Sequence, residues 1–411
     1  MAKAEGLSQA GALTGLRVLD LSRVLAGPSC TQILGDLGAD IIKVERPGVG
    51  DDTRKWGPPF LHDRDGKPTS EAAYYLSANR NKRSIAIDMT HPEGAVLIRR
   101  LLADCDVLVE NFKVGDLARY GLSYAQLRAD FPRVVYCSIT GFGQHGPHSH
   151  RAGYDFVVQG MGGLMSVTGE KTGEPMKVGV AAADLVTGLY AAVAILAALR
   201  ERDVSGQGQH VDLALLDCQL AMMSYAAENF LISGRPPARQ GNAHPNIVPY
   251  QVFRAADGFL IVAVGNDSQF AKLCAVLAMP GLATNPDYAA APARVCNRER
   301  LVPILAETLA TQSRAHWLAV LERAGVPAGP VQTIDEAFAD PHVQARGLVQ
   351  RIDHRLADGV PVLGSPIALS RTPTTLRHAP PTLGENTEEI LAAAGFSEAE
   401  RAALRQAGVV A

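Results

Sequence analysis

The chain has 411 residues, of which 47% are hydrophobic and 20% charged, and carries a formal net charge of −3. That length exceeds one ordinary core, so two domains and a smaller third segment are expected. The near-neutral balance excludes a global basic field for nucleic acid or an anionic membrane, so an anionic ligand has to be held by a local cluster of Arg and Lys. In chain order, Leu16-Arg-Val-Leu-Asp-Leu21 reads as a short apolar strand, residues 29–37 have helical spacing, and Asp40-Ile-Ile-Lys-Val-Glu45 is a second strand. The short connections make this a parallel strand–helix–strand unit. Further units follow: a strand at 84–88, a helix at 93–102, and strands at 107–110 and 133–138. The first half is therefore an α/β fold with an open, mainly parallel sheet and helices on its faces. Such sheets bind ligands beyond the carboxyl ends of their strands, where the loops hold residues 23–28, Arg46, 111–113 and 141–146.

The apolar run 189–199 reads as a buried helix, followed by a strand at 209–215 and another apolar helix through Met223. The turn-rich stretch 233–242 is a linker candidate. Beyond it, strands at 249–254 and 258–264 flank an Asp-Gly hairpin signal, and helices are expected at 268–277, 298–311 and 316–324. Together they make a small α+β unit over about residues 226–340, with short strands, a Pro-rich crossing and a charged helix in the tail.

Residues 1–12 contain Lys3 and Glu5 without a continuous apolar core or an Arg-rich amphipathic pattern, and the 189–199 run is shorter than a bilayer crossing. No membrane partner is expected, and the expected location is cytoplasmic. The six cysteines (Cys30, Cys105, Cys137, Cys218, Cys274, Cys296) are scattered without a Cys-x-x-Cys pair and read as reduced, mostly buried side chains. His145, His148 and His150 lie in a Gly/Pro loop with no further ligand at metal spacing, so no metal site is expected.

Two features carry chemistry. Asp184 sits in Val178-Gly-Val-Ala-Ala-Ala-Asp184-Leu-Val-Thr-Gly188, just before the apolar helix and among small residues that leave room for a close approach. A carboxylate there is either a helix cap or a reacting group, because an idle buried charge is destabilising. Polar and basic clusters follow successive strands: Glu45-Arg46-Pro47, then Asn79-Arg80-Asn81-Lys82-Arg83, then Glu110-Asn111-Phe112-Lys113 with Arg119. They are either solvated surface or, converging on one rim, a cradle for a small anion. A nicotinamide site is disfavoured. Gly141-Phe-Gly-Gln-His-Gly146 matches the dinucleotide pattern by letter, but Pro147 interrupts it, and the first strand–helix turn has one glycine, Gly27.

Gly27-Pro28, Gly38-Ala-Asp-Ile-Ile-Lys-Val-Glu-Arg-Pro47, Asn81-Lys-Arg-Ser84, Val109-Glu-Asn-Phe112, Gly153-Tyr-Asp155 and Ala183-Asp184-x-x-Thr187-Gly188 together resemble the class III CoA-transferases, the family of the formyl-CoA and carnitine CoA-transferases. The resemblance runs from about residue 13 to the C-terminus. It implies a Rossmann-like large domain built from residues 1–225 and a return segment 341–411, a small domain over 226–340, and an interlocked homodimer. It implies that Asp184 attacks an acyl-CoA thioester, passing through a mixed anhydride and an aspartyl-CoA thioester. Coenzyme A and its acyl thioesters are then substrates, with no permanently bound cofactor. A place near a helix amino end favours the ionised carboxylate. By the same matching, Val24, Ala26, Arg46, Asn79, Arg80, Asn81, Lys82, Asn111, Phe112, Lys113, Arg119, Tyr154 and Asp155 fall at CoA-contacting positions.

Leu25 stands where the family commonly has Gln, and Thr140 where the formyl-CoA enzymes have Lys, which argues against an identical acyl site. Tyr154 replaces the histidine that the related α-methylacyl-CoA racemases need as an acid/base group, leaving racemase as the alternative enzyme and a non-catalytic CoA-binding protein as the alternative class. The loop Gln240-Gly241-Asn242-Ala-His244-Pro-Asn246 looks like the branch that handles dicarboxylates, the succinate–hydroxymethylglutarate (glutarate) CoA-transferases. Gly241, Asn242 and His244 are accordingly substrate-loop residues, His244 otherwise being a loop histidine satisfied by backbone.

Overall fold

The computed structural model describes residues 11–411. Strand β1 (Arg17–Asp20), helix α1 (Ala26–Asp36), strand β2 (Asp40–Glu45), strand β3 (Lys82–Ala86), helix α2 (Pro92–Leu102), strand β4 (Val107–Glu110) and strand β5 (Val135–Thr140) open the chain. Helix α3 (Asp155–Met161), helix α4 (Ala182–Ser205), strand β6 (His210–Ala214) and helix α5 (Leu215–Met222) follow. The six strands form one sheet in the order β3-β2-β1-β4-β5-β6, every neighbouring pair parallel. Covered on both faces, its strands are continuous apolar runs rather than alternating ones, and Val18, Leu19 and residues 107–109 are fully buried. The chain winds outward from β1 to β3, then returns to the other side of β1 at β4. That reversal leaves a crevice between β1 and β4 at the carboxyl ends of the strands.

Helix α4 begins at Ala182, seven residues before the expected run, because the small residues ahead of Leu189 are helical too. At 24 residues it is long and apolar enough to cross a membrane, which the 189–199 stretch alone was not. One face, including Ala191, Ala192 and Ile195, is buried in the core against the sheet. Gly188 lets it close on α1, since a Cβ there would meet the Ala26 carbonyl oxygen at 2.8 Å. The two helices therefore start side by side. An antiparallel hairpin (Phe60–His62 with Pro68–Ala72), absent from the sequence reading, is closed by a turn whose Asp63 carboxylate accepts from the Asp65 and Lys67 amides.

The C-terminal segment packs on the β3 edge. The Asp88 amide donates to the Val409 carbonyl at 2.8 Å, the Ser84 amide to the Asn386 side chain at 3.0 Å, and the Asn81 amide to the His378 carbonyl at 2.8 Å. Residues through Gly163, with Val178–Glu228 and Arg346–Ala411, make one compact unit.

The second unit comprises Leu164–Lys177 and Asn229–Ala345. Strands β7 (Tyr250–Ala255) and β8 (Gly258–Ala263) pair as a hairpin, helices α6 (Asp267–Val276), α7 (Arg298–Leu309) and α8 (Arg314–Ala324) follow, and β9 (Ala328–Pro330) pairs antiparallel with β8. Its core is hydrocarbon: Leu260, Phe270, Leu301, Leu305, Trp317 and Leu321, with the indole N–H of Trp317 satisfied by the Leu309 carbonyl at 2.7 Å. Residues 164–177 belong here because Arg239 donates to the Glu170 and Gly173 carbonyls, at 3.1 and 2.6 Å, and Lys171 pairs with Glu299 at 2.8 Å.

Candidate active site

Three loops at the carboxyl ends of β1, β4 and β5 and the amino ends of α1 and α4 enclose a cavity of about 190 Å³. Val24, Leu25 and Ala26 come from the first loop, Asn111, Phe112 and Lys113 from the second, and Thr140 and Gly141 from the third, with Tyr154 and Asp184 completing the wall. Arg23, Asp52, Phe112 and Asp116 also line a second cavity of about 370 Å³, which carries Arg46, Arg119 and Tyr120. The two chambers thus adjoin, sharing these side chains along a common wall.

Asp184 is not the helix cap. It lies in the first turn of α4, and the cap residue, Ala181, makes no side-chain bond. Asp155, at the start of α3, does the capping from outside the helix: its Oδ1 accepts from the Ala183 amide at 2.8 Å and the Asp184 amide at 3.3 Å. The Asp184 carboxylate is left with no hydrogen-bond donor among the described residues, is 8% exposed, and lines the cavity. Burial, reinforced by the Asp155 charge, pushes its pKa up to about 7. Desolvation thus outweighs the helix amino end that favours the ionised form. A buried carboxylate without a partner, at the end of a cleft, is a group available for chemistry rather than for structure.

The other expected site residues divide clearly. Val24, Ala26, Asn111, Phe112, Lys113 and Tyr154 share the first cavity with Asp184, while Arg46, Phe112 and Arg119 line the second. Asp155 reaches the site through the Ala183 and Asp184 amides. Asn79, Arg80, Asn81 and Lys82 line neither chamber and are buried. The Arg80 guanidinium pairs with Asp36, the Asn81 side chain spans Asp36 and the Thr375 carbonyl, and Asn79 donates to the Tyr75 carbonyl. The Lys82 ammonium is enclosed by Asp20 at 3.2 Å, Asn79 at 3.0 Å and the Pro28 carbonyl at 2.9 Å, and burial draws its pKa down to about 8.

Gly241, Asn242 and His244 lie in the second unit. Gly241 takes a left-handed φ of 59°, and its amide donates to the Gly169 carbonyl at 3.1 Å. The His244 Nδ1 accepts from the Asn246 amide at 3.0 Å, and Arg298 donates to the His244 and Pro245 carbonyls at 3.2 and 2.6 Å. Asn242 is exposed.

Residues outside the expected site set also shape it. Glu110 is buried at the end of β4, accepts from the Phe112 amide at 2.8 Å, and is pushed up to about 7 by its burial. Lys43 and Asp51 pair at 3.0 Å with both side chains fully buried. Lys43 had a visible signal, a cation inside the apolar strand Asp40–Glu45; Asp51, in a Gly-rich turn, had none.

The profile of CoA-transferase family III matches residues 13–387, and the chain belongs to that family. It is a CoA-transferase. It is 52% identical over 382 residues to the succinate–glutarate CoA-transferase of Agrobacterium fabrum, covering 92% of this chain and 95% of that one. It is 45% identical to the human succinyl-CoA:glutarate CoA-transferase, over 92% of this chain and 85% of that protein. Among solved structures, a CAIB/BAIF family protein from Brucella suis superposes with a TM-score of 0.82 at 49% identity, over 94% of this chain and all of that one.

Proposed function

We propose that the protein moves CoA between succinyl-CoA and a dicarboxylate, glutarate or hydroxymethylglutarate, with Asp184 as the nucleophile. The observation that carries the reading is the unpaired, buried Asp184 carboxylate on the wall of the crevice cavity. An Asp184 oxygen attacks the thioester carbonyl, the C–S bond breaks, and CoA thiolate leaves a succinyl–aspartyl anhydride. The thiolate then attacks the aspartyl carbonyl, releasing succinate and leaving an aspartyl-CoA thioester. The acceptor carboxylate attacks that carbonyl, freeing the thiolate again. The thiolate finally takes the new acyl group and restores Asp184. The adjoining chambers, side by side along one rim, suit a long ligand such as CoA. Arg46, Lys113 and Arg119 serve its phosphates, and Val24, Ala26, Asn111, Phe112 and Tyr154 serve the arm that ends at Asp184. Asn79, Arg80, Asn81 and Lys82 support α1 from beneath, and Asp155 holds the amino end of α4.

Gly241, Asn242 and His244 form the loop that recognises the far carboxylate of the diacid. The diacid substrate class is supported by the names of relatives 52% and 45% identical to this chain. The working form is a cytoplasmic homodimer. The outer flank of α4, with Leu185 39%, Leu189 56% and Val193 65% exposed, is an apolar stripe that a second copy would cover. The test is an acceptor screen with succinyl-CoA, read by mass spectrometry of the acyl-CoA products, with hydroxylamine trapping during turnover. Diacids as preferred acceptors and a modification at Asp184 are expected. Equal use of monocarboxylates removes the diacid assignment, and trapping elsewhere removes the nucleophile.

A further inference from the structure

The turn that follows β1 is held in an unusual way. Val24 takes a φ of 71°, a left-handed conformation that a β-branched residue rarely adopts. From the Ser22 amide to the Val24 amide, each backbone polar group is bonded to a side chain from another point in the chain. The Ser22 amide donates to Asp20 at 2.9 Å, and the Ser22 carbonyl accepts from the Lys43 ammonium at 3.0 Å. The Asn111 side chain mimics a strand partner, accepting from the Arg23 amide at 2.9 Å and donating to its carbonyl at 2.7 Å. The Val24 amide donates to both oxygens of Asp51 at 3.2 Å. Asp51 is itself fixed by Lys43 at 3.0 Å and by the Thr53 amide and hydroxyl at 3.0 and 2.8 Å.

We infer that the buried Lys43–Asp51 pair is a positioning device for catalysis, locking the strained Ser22–Val24 turn so that Leu25 and Ala26, at the start of α1, hold their place on the cavity wall shared with Asp184. A fully buried ion pair adds little stability over apolar side chains of the same volume, so geometry is the better account of its presence. Burial opposes both charges, yet the neighbouring opposite charges hold Lys43 above and Asp51 below their ordinary values. The pair is therefore charged across the neutral range, and the lock does not loosen with pH there. Such a lock matters because a displacement of about 1 Å at a reacting group can lower a rate by about a hundredfold. The inference rests on the reading of this cavity as the CoA-thioester site.

The test is a double-mutant cycle between Asp51→Asn and Val24→Gly. Asp51→Asn is expected to lower kcat/KM for succinyl-CoA by about thirtyfold, raising KM and slowing hydroxylamine-trapped modification of Asp184. Loss of fold alone would reduce active enzyme, and so kcat, without raising KM. In the Val24→Gly background the same substitution is expected to lose less than about fivefold, because glycine takes a φ of 71° unaided. Because stranding Lys43 can unfold the sheet, Lys43→Met/Asp51→Asn, which leaves no lone charge, is measured in parallel and is expected to match Asp51→Asn. A folded Asp51→Asn enzyme within twofold of the parent, or an equal loss in both backgrounds, overturns the inference. Arg119→Ala separates the two readings. If it weakens CoA binding while Asp51→Asn does nothing, only the positioning role falls; if CoA affinity ignores Arg119, the site reading falls first.

Discussion

Both compact units have apolar cores, but the first also buries a network of charges. Beneath the β1–β4 crevice lie Asp20, Lys43, Glu45, Asp51, Arg54 and Lys82, each 5% exposed or less. Arg54 alone bonds Glu45, Glu71, Tyr75 and the Pro381 carbonyl. The second unit buries leucines, Phe270 and Trp317, and among the described residues Arg294 is its one buried ion, held by the Val248, Tyr288 and Ala289 carbonyls and by Asp267. Hydrocarbon packing supplies stability with little directional demand, whereas a buried charge network contributes little net stability but fixes the direction of every group it touches. In the first unit the directional interior lies where a loop has to be held in place, beside apolar cores of the kind that keep both units folded.

Four experiments sharpen or break that contrast. The largest effect is expected for Asp184→Ala, which should lower turnover by at least about a thousandfold while CoA affinity, measured by calorimetry, stays within a few-fold. Next, Trp317→Ala should destabilise the second unit by about 3–5 kcal/mol, read from its urea midpoint, with CoA affinity of the folded protein unchanged. A parallel fall in that affinity would end the division of labour. Third, the pH profile reads the site directly. In the proposed reaction Asp184 attacks as its carboxylate, and its pKa is raised to about 7, so kcat/KM should climb as pH rises through about 7 and level off above it. Asp155→Asn keeps an acceptor oxygen for the Ala183 amide but removes the repelling charge, so the limb should move to lower pH. A limb that stays in place would assign it to another group, with Glu110 the first to examine. The smallest effect is expected for Arg64→Ala, which breaks an exposed, solvent-screened pair with Asp358 and should leave the urea midpoint nearly unmoved.

Much of this was legible in the sequence, and for a physical reason. Strands buried on both faces have to be apolar runs, so β1, β2 and β4 announce themselves, and the loops after β1 and β4 locate the crevice. Asp184 stood out because a carboxylate beside an apolar helix needs an explanation. The role of Asn79, Arg80, Asn81 and Lys82 was not legible. A basic cluster at the amino end of a strand has the same letters whether it faces a ligand or turns inward, and the carboxylates that draw it inward, Asp20 and Asp36, are 62 and 44 residues away in the chain. Nor was the true start of α4, because Ala and Gly give no period by which to judge a helix. The excursion at 164–177 was hidden for a similar reason: it is held by bonds to Arg239 and Glu299, distant in sequence and unmarked by any pattern.

The close approach at Gly188 also limits substitution there. Where two helix starts touch through a hydrogen atom, no side chain can be tried out at that position without prising apart the wall that frames the reaction. Any residue larger than glycine at 188 would have to push α1 and α4 apart, and with them the Asp184 side of the cavity wall.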